Sequence, residues 1–310
     1  MPDRSSVALL QRITTLSSLA AAIAWLLWWW PRSPSLALLG ALGLAFGFAW
    51  VLALEFALLP LVCRGDPAPA ARPHELLRAW WAETRSALEV FAWRQPYRWR
   101  EVPDRLHGER VQGRTGVVFI HGFLCNRGFW TPWLRRVNAQ GRAFVAVNLG
   151  PPFGETDDYV PTVERPAEAV RAATGRPPLL VCHSMGGLVA RAWLRTRRDA
   201  HPVAHVISIG SPHRGTWIAR FSHLPNGRQM RQDCEWMRDL HAAWDPAQAV
   251  RWTCWHSNCD NIVMPPSTAT LPGADNCFVP GAAHVDLAFQ PQVMEASLAL
   301  LARCDERTTA

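Results

Sequence analysis

From residue 115 onward, short apolar runs alternate with longer stretches of helical spacing, and that alternation limits the chain to few architectures. The short runs are GVVFI (116–120), FVAVN (144–148), LLVC (179–182), HVISIG (205–210), VRWTCW (250–255) and CFV (277–279). Apolar runs of this length without polar alternation suit strands buried on both faces, the condition of a parallel sheet. Helix-like stretches lie between or after them, over about 130–139, 162–174, 185–197 and 291–303. The pattern predicts an α/β fold: a mostly parallel open sheet with helices on both faces. Residues 216–244 interrupt the alternation with Phe221, Met230, Trp236, Met237 and Leu240 set among arginines. Such an insertion is either a lid over an apolar pocket or packing that caps the sheet.

In VCHSMGG (181–187) one serine stands between a histidine and a methionine, with two glycines close behind. A strand ending at Cys182, a turn through His183, Ser184 and Met185, and a helix starting near Gly186 would form a nucleophile elbow. In such a turn the serine backbone is strained and its hydroxyl projects from the top of the sheet. Strand and helix pass close together there, so the residues two places either side of the serine must be small. Gly186 meets the requirement. Cys182 stands where the G-x-S-x-G pattern has glycine, and a thiol is small enough to be tolerated.

Taken alone, Ser184 is also an ordinary N-cap serine. Its company separates the two readings, because a serine hydroxyl needs a base and an orienting acid, in chain order serine, acid, histidine. CDNIVMPPSTATL places Asp260 just after the fifth strand-like run, and VPGAAHVDL places His284 after the last. Asp245, Asp275 and Asp286 are alternative acids, and Asp286 is expected to steady the His284 loop. Asp157 and Asp158 come too early to be the acid and are expected to cap the helix near residue 162. His121 is read as structural and His183 as the variable residue of the elbow. His201, His205, His213 and His223 form no metal-ligand pattern.

The chain resembles the bacterial lipase and esterase branch of the α/β-hydrolase superfamily, triacylglycerol lipase-like, over about residues 115–300. The resemblance rests on VFIHGF, NLGPPFGETDDY, VCHSMGGLVARAWL, ISIGSPHRGT, CDNIVMPPSTA and GAAHVDL, in family order. It implies Ser184 as nucleophile, His284 as general base and Asp260 as acid. It also implies an oxyanion hole made by the backbone N–H groups of Phe123 and Met185. The implied activity is cleavage of a carboxylic ester, lipid-like or smaller, through an acyl-enzyme, with no metal or organic cofactor. A thioesterase or acyltransferase would use the same residues. The reading from another class is a catalytically silent membrane interaction protein that kept the fold.

Ahead of this region stand two apolar runs, 14–30 and 35–62, in which Glu55 is the sole charged residue. At about 1.5 Å per residue the first nearly matches a hydrocarbon core of roughly 30 Å, and the second exceeds it. They predict two transmembrane helices joined by a short turn. A secretory signal peptide would need small residues at a cleavage site, whereas the first run ends in Trp28, Trp29, Trp30 and Pro31. Arg4 and Arg12 precede the first run, Arg32 alone lies in the turn, and Arg64, Arg72, Arg78 and Arg85 follow the second. The positive-inside rule then places both outer ends in the cytoplasm. With the bacterial resemblance, this predicts a two-pass inner-membrane protein whose catalytic domain faces the cytoplasm. Glu55 is expected to reach the interface or pair with the neighbouring helix.

The expected organisation is therefore a membrane anchor over 1–64, a proline-rich hinge and amphipathic helix over 65–114, and a catalytic domain over 115–310 with its insertion at about 216–244. The helix, His74 to Arg94, carries Leu76, Leu77, Trp80, Trp81, Leu88 and Phe91 at helical spacing. It would either cover the domain or lie on the membrane. The net charge of +7 comes from arginine, since the chain holds no lysine. Without a basic helix or nucleic-acid motif, that charge suits an anionic bilayer surface and not nucleic acid. The eight cysteines form no paired zinc spacing. Cytoplasmic placement predicts free thiols, and the opposite topology a disulfide among Cys234, Cys254, Cys259 and Cys277.

Overall fold

The structure is a computed structural model that describes residues 5–197, 202–246 and 250–306; Arg4 and His201 lie outside them. The apolar N-terminus forms α1 (Ser6–Trp29), α2 (Pro34–Ala45) and α3 (Gly47–Val62). Helix α4 (Pro73–Ala87) continues through a π-helical turn, Leu88–Arg94, into the short α5 (Gln95–Tyr97). The sheet-bearing part begins with β1 (Val117–Ile120), α6 (Thr131–Ala139), β2 (Phe144–Ala146), α7 (Val160–Thr174), β3 (Leu179–His183) and α8 (Met185–Arg195). It continues with β4 (His205–Ile209), α9 (Pro225–Gln229), α10 (Glu235–Ala242), β5 (Trp252–His256), β6 (Asp275–Phe278), α11 (His284–Leu287) and α12 (Pro291–Glu306).

All six strand-like runs form strands. They pair in parallel in the order β2-β1-β3-β4-β5-β6. The chain leaves β1 for β2 on one side and returns to β3 on the other, so the strand order reverses between β1 and β3. Loops part at such a switch point and leave a crevice at the carboxyl ends of the strands. The register pairs Ile120 with Cys182 and His183 with Ile209, so the turns after β1 and β3 leave the sheet side by side.

The strands are apolar on both sides because both faces are covered. Val117 and Phe119 of β1, with Val181 and Ile207, pack against Trp130, Trp133, Leu134 and the α12 residues Met294 and Leu301. Val118 and Ile120, with Leu180, Cys182 and Cys254, pack against Val163 and Val170 of α7 and Met185 and Val189 of α8. The free edge of β2 is closed by residue 105: Arg105 N–H donates to Phe144 O at 3.0 Å, and Phe144 N–H donates back at 2.8 Å. Pairing this edge removes exposed strand donors and acceptors. The segment just before residue 115 is thus built into the sheet.

The second apolar run departs from expectation. A single helix over 35–62 was predicted, but the helix breaks at Phe46 and α3 leaves α2 bent by 67°. Gly43 and Gly47 flank the break and lower local helix propensity. The deciding term is tertiary: α3 has a partner. Leu59 is buried, Phe56 is buried against Ala79 of α4, Cys259 and Ala283, and Trp80 Nε1–H donates to Ala49 O at 2.9 Å. Among the described residues only α1 is long and apolar enough to cross a membrane as one helix; α2 and α3 reach that length as a bent pair. Helices α1 and α2 pack side by side, with the Trp25 indole donating to Leu36 O at 3.1 Å. A Cβ on Gly40 would stand 1.9 Å from that indole nitrogen, so glycine makes the contact possible.

Helix α4 covers the domain. It buries Ala79, Glu83 and Thr84 against the domain and leaves Leu77 and Trp81 about two-thirds exposed. The 216–244 insertion also divides. Met237 and Leu240 of α10 bury against Leu188 of α8, while the 3-10 turn Trp217–Phe221 leaves Phe221 exposed. Its back half is packing, and its front half offers an apolar surface.

Candidate active site

Ser184 begins where β3 ends. Its φ of +54 and ψ of −129 lie in a region that side-chain-bearing residues rarely adopt. The strain is held by surroundings that cannot relax. Ser184 N–H donates to Ile209 O at 2.9 Å, and α8 starts at once with Met185. A Cβ on Gly186 would meet Ile120 O at 2.4 Å, which is why this place in the elbow requires glycine. Cys182 is fully buried in β3 and packs among Ile120, Met185 and Cys254, so its extra atoms fill core volume and leave the turn clear.

The turn after β1 passes directly over the serine. A Cβ on Gly122 would lie 2.7 Å from Ser184 Cβ and 3.3 Å from its Oγ. His121 fixes this turn: its Nδ1–H donates to Gly122 O at 2.9 Å and its Nε2 accepts from Leu149 N–H at 3.1 Å. Burial drops the His121 pKa to about 4, so the ring stays neutral and keeps both bonds. The next residue, Phe123, stacks edge-on with Phe153 at 6.0 Å. Met185 N–H heads α8 and has no acceptor within the helix. The backbone N–H groups of Phe123 and Met185 therefore stand on two neighbouring turns beside Ser184.

Asp260 and His284 come from the loops after β5 and β6. His284 Nδ1 is 2.9 Å from Asp260 Oδ1 and 3.0 Å from Oδ2, and both side chains are buried. Asp260 Oδ1 also accepts from Ile262 N–H at 3.0 Å and Val263 N–H at 2.7 Å, which aims the carboxylate. Burial alone would lower the His284 pKa. The charge and hydrogen bond of Asp260, helped by Glu83 and Glu55, outweigh it and raise the value above 6.5. Facing a carboxylate at Nδ1 requires a proton there, which leaves Nε2 bare in the neutral ring. Gly210 follows β4 with φ +54, and a Cβ there would lie 2.9 Å from Asp260 Oδ2 and 3.3 Å from His284 Nδ1. The pair thus rests on bare backbone, one residue beyond the carbonyl that holds Ser184 N–H. Ser184 Oγ itself makes no hydrogen bond among the described residues. The structure brings all three sequence-predicted residues to one end of the sheet, and Asp260 is the carboxylate that meets His284 Nδ1.

Residues 117–303 match the Alpha/beta hydrolase family. The chain belongs to that family. Lipase BlEst2 of Bacillus licheniformis in its mature form is similar in structure, with 16% identity and a TM-score of 0.55, covering 63% of this chain and 95% of that one. Aspergillus fumigatus lipase B is similar at 16% identity and a TM-score of 0.58, over 97% of this chain and 82% of that one. At such identities the likeness is one of fold. No curated protein matches the chain.

Three parts of this α/β-hydrolase site were missed in the sequence. His183 is more than the variable residue of the elbow. Its ring stacks on Phe129 at 4.4 Å, lies 4.7 Å from the His284 ring, and donates through Nε2–H to His284 O at 3.1 Å. Burial and the neighbouring His284 charge hold its pKa well below 6.5, so it remains neutral. Glu55 and Glu83 both reach the His284 loop from outside the family match, through Asn261 and through the Val285 and Asp286 N–H groups. Asp286 steadies the loop as expected, accepting from Gln290 Nε2–H. Asp158 caps locally by accepting from Glu155 N–H at 2.9 Å, whereas Asp157 ties to Arg195 and to Trp236 of the insertion. The eight cysteines are free thiols, and no group of three or more metal-ligating side chains occurs among the described residues.

Proposed function

We propose that this chain is a membrane-anchored serine hydrolase that cleaves lipid-like carboxylic esters through an acyl-enzyme. The observation that carries the reading is the buried His284–Asp260 pair at the end of the sheet where Ser184 is held at φ +54. In this mechanism His284 Nε2 accepts the Ser184 proton as Oγ attacks the ester carbonyl. Asp260 keeps the imidazole in the Nδ1–H tautomer and stabilises its cation. The Phe123 and Met185 N–H groups receive the developing oxyanion, each worth about 10²- to 10³-fold in rate. His284 returns the proton to the leaving alcohol, and water then repeats the sequence on the acyl-enzyme.

A lipid-like substrate is supported by what surrounds the site. Phe153, Phe221 and Leu224 expose apolar surface, as do Trp50, Leu54 and Trp81 on the helices behind the His284 loop. In the proposed arrangement α1 crosses the membrane and α2 with α3 returns as a bent pair, whose α3 end packs against α4. Arg32 at the far turn stacks on Trp28 at 4.5 Å, a pairing suited to the opposite interface. The arginine bias supports a catalytic domain on the cytoplasmic side of the inner membrane.

The test is covalent labelling of the detergent-solubilised protein with a fluorophosphonate, comparing wild type with Ser184→Ala and His284→Ala. Labelling that requires Ser184 and falls sharply without His284 supports the assignment. A folded wild type that resists labelling overturns it.

A further inference from the structure

Two carboxylates that belong to neither the elbow nor the Asp260 loop converge on the backbone of the His284 loop. Glu83, in the middle of α4, is almost wholly buried. Its Oε1 and Oε2 both accept from Val285 N–H at 3.0 Å, and Oε2 also accepts from Asp286 N–H at 3.1 Å. Glu55 of α3 accepts through Oε2 from Asn261 Nδ2–H at 2.7 Å, and Asn261 Oδ1 accepts from His284 N–H at 3.3 Å. The amide groups of three successive residues, 284 to 286, are thus held from the N-terminal helices. Both glutamates lie before residue 117, where the family match begins.

A buried carboxylate with only backbone donors around it is costly unless a cation forms nearby. The group that can become one and whose charge acts on Glu83 is His284. Burial pushes the Glu83 pKa up to about 7, against the pull of His284 and the two N–H groups. The groups that face His284 are Asp260 from the β5 loop, Glu83 from α4, Glu55 from α3 and the neutral His183 from β3.

We infer that Glu83, supported by Glu55, is a positioning residue for His284, orienting its loop and stabilising its protonated form. The inference rests on the reading of His284 as the general base. It makes the N-terminal helices part of the catalytic apparatus and not a detachable tether, since displacing α3 and α4 withdraws two of the three carboxylates that face the imidazole.

The experiment measures the rate of fluorophosphonate labelling and kcat/KM on a p-nitrophenyl ester across pH, in detergent, for the full chain. The variants are wild type, Glu83→Gln, Glu83→Asp, Glu55→Gln and, as a control, Glu89→Gln, whose carboxylate is half exposed and pairs with Arg94. Expected are an acid limb moved down by about one pH unit and a rate loss of about tenfold in Glu83→Gln. Glu83→Asp should fall in between, Glu55→Gln should shift less, and Glu89→Gln should leave the profile unchanged. A Glu83→Gln variant that loses thermal stability while its acid limb stays in place overturns the inference and leaves Glu83 a packing residue. Should Glu83→Gln fail to fold, an unmoved limb in both Glu83→Asp and Glu55→Gln overturns it equally. A wild type that does not label at Ser184 instead overturns the hydrolase reading itself, and this inference with it.

Discussion

His284 Nδ1 lies within 3.0 Å of both carboxylate oxygens of Asp260, in a pocket where both side chains are buried. An amide in place of that carboxylate would present N–H to the ring and turn its tautomer, putting the proton on the nitrogen meant to accept from serine. Asp260→Asn is therefore expected to reduce kcat for ester hydrolysis by about 10³- to 10⁴-fold, with little change in KM. A loss of only a fewfold in steady-state kinetics would remove Asp260 from the triad.

The raised pKa of His284 gives the pH dependence its sign. The ring works as a base only when neutral, so kcat/KM should rise with pH through a midpoint above 6.5. Linkage runs the other way for stability. The contribution of a histidine raised on folding is fully present below pH 6.5 and is lost as pH rises through the folded value. An acid limb centred well below 6.5 in the pH–rate profile would contradict this account of the pocket.

Small residues at the elbow differ in what they tolerate. Gly186→Ala forces a Cβ to 2.4 Å from Ile120 O and 2.9 Å from His121 O, both backbone atoms with nowhere to move. That variant should lose fluorophosphonate labelling and fall by several degrees in melting temperature. Cys182→Gly, by contrast, removes buried volume from a sound turn. It should cost about 1–2 kcal/mol in chemical denaturation while labelling persists. Labelling that survives in Gly186→Ala would show that the turn is looser than its contacts indicate.

Arg127 is buried behind the β1 turn and donates to Asp104 Oδ1 at 2.6 Å, and Asp104 accepts in addition from Ala146 N–H at 3.0 Å. Asp104→Ala leaves a buried guanidinium without its counter-charge, so unfolding should become easier by about 3–5 kcal/mol. Replacing both partners, Arg127→Met with Asp104→Ala, should recover part of the loss. An unchanged denaturation midpoint in the single variant would show that water already solvates Arg127.

Much of the fold, and the residues of the candidate site, were legible in the linear chain. All six apolar runs became strands because burial on both faces imposes a local composition that persists wherever the strand lies in the sheet. The elbow was legible because a strained turn between strand and helix dictates residue sizes within five positions. Helix boundaries for α6, α7, α8 and α12 fell within a few residues of expectation because helical spacing of apolar residues is itself a local pattern. The second apolar run was misjudged at Phe46, since hydropathy records the solvent a helix prefers and not the neighbour that bends it. His183 was passed over because its partners, Phe129 and His284, carry no spacing signature.

The sequence by itself determined the alternating fold, the serine turn and the apolar N-terminus, each a property of residues close together along the chain. Only the tertiary structure decided that α3 and α4 would close over the His284 loop. The Glu55–Asn261 and Glu83–Val285 contacts join residues 206 and 202 positions apart. A lone glutamate in an apolar run, or on one face of an amphipathic helix, reads the same whether it seeks water or a distant backbone N–H. Its partner is chosen by the packing of whole helices, which no local pattern encodes.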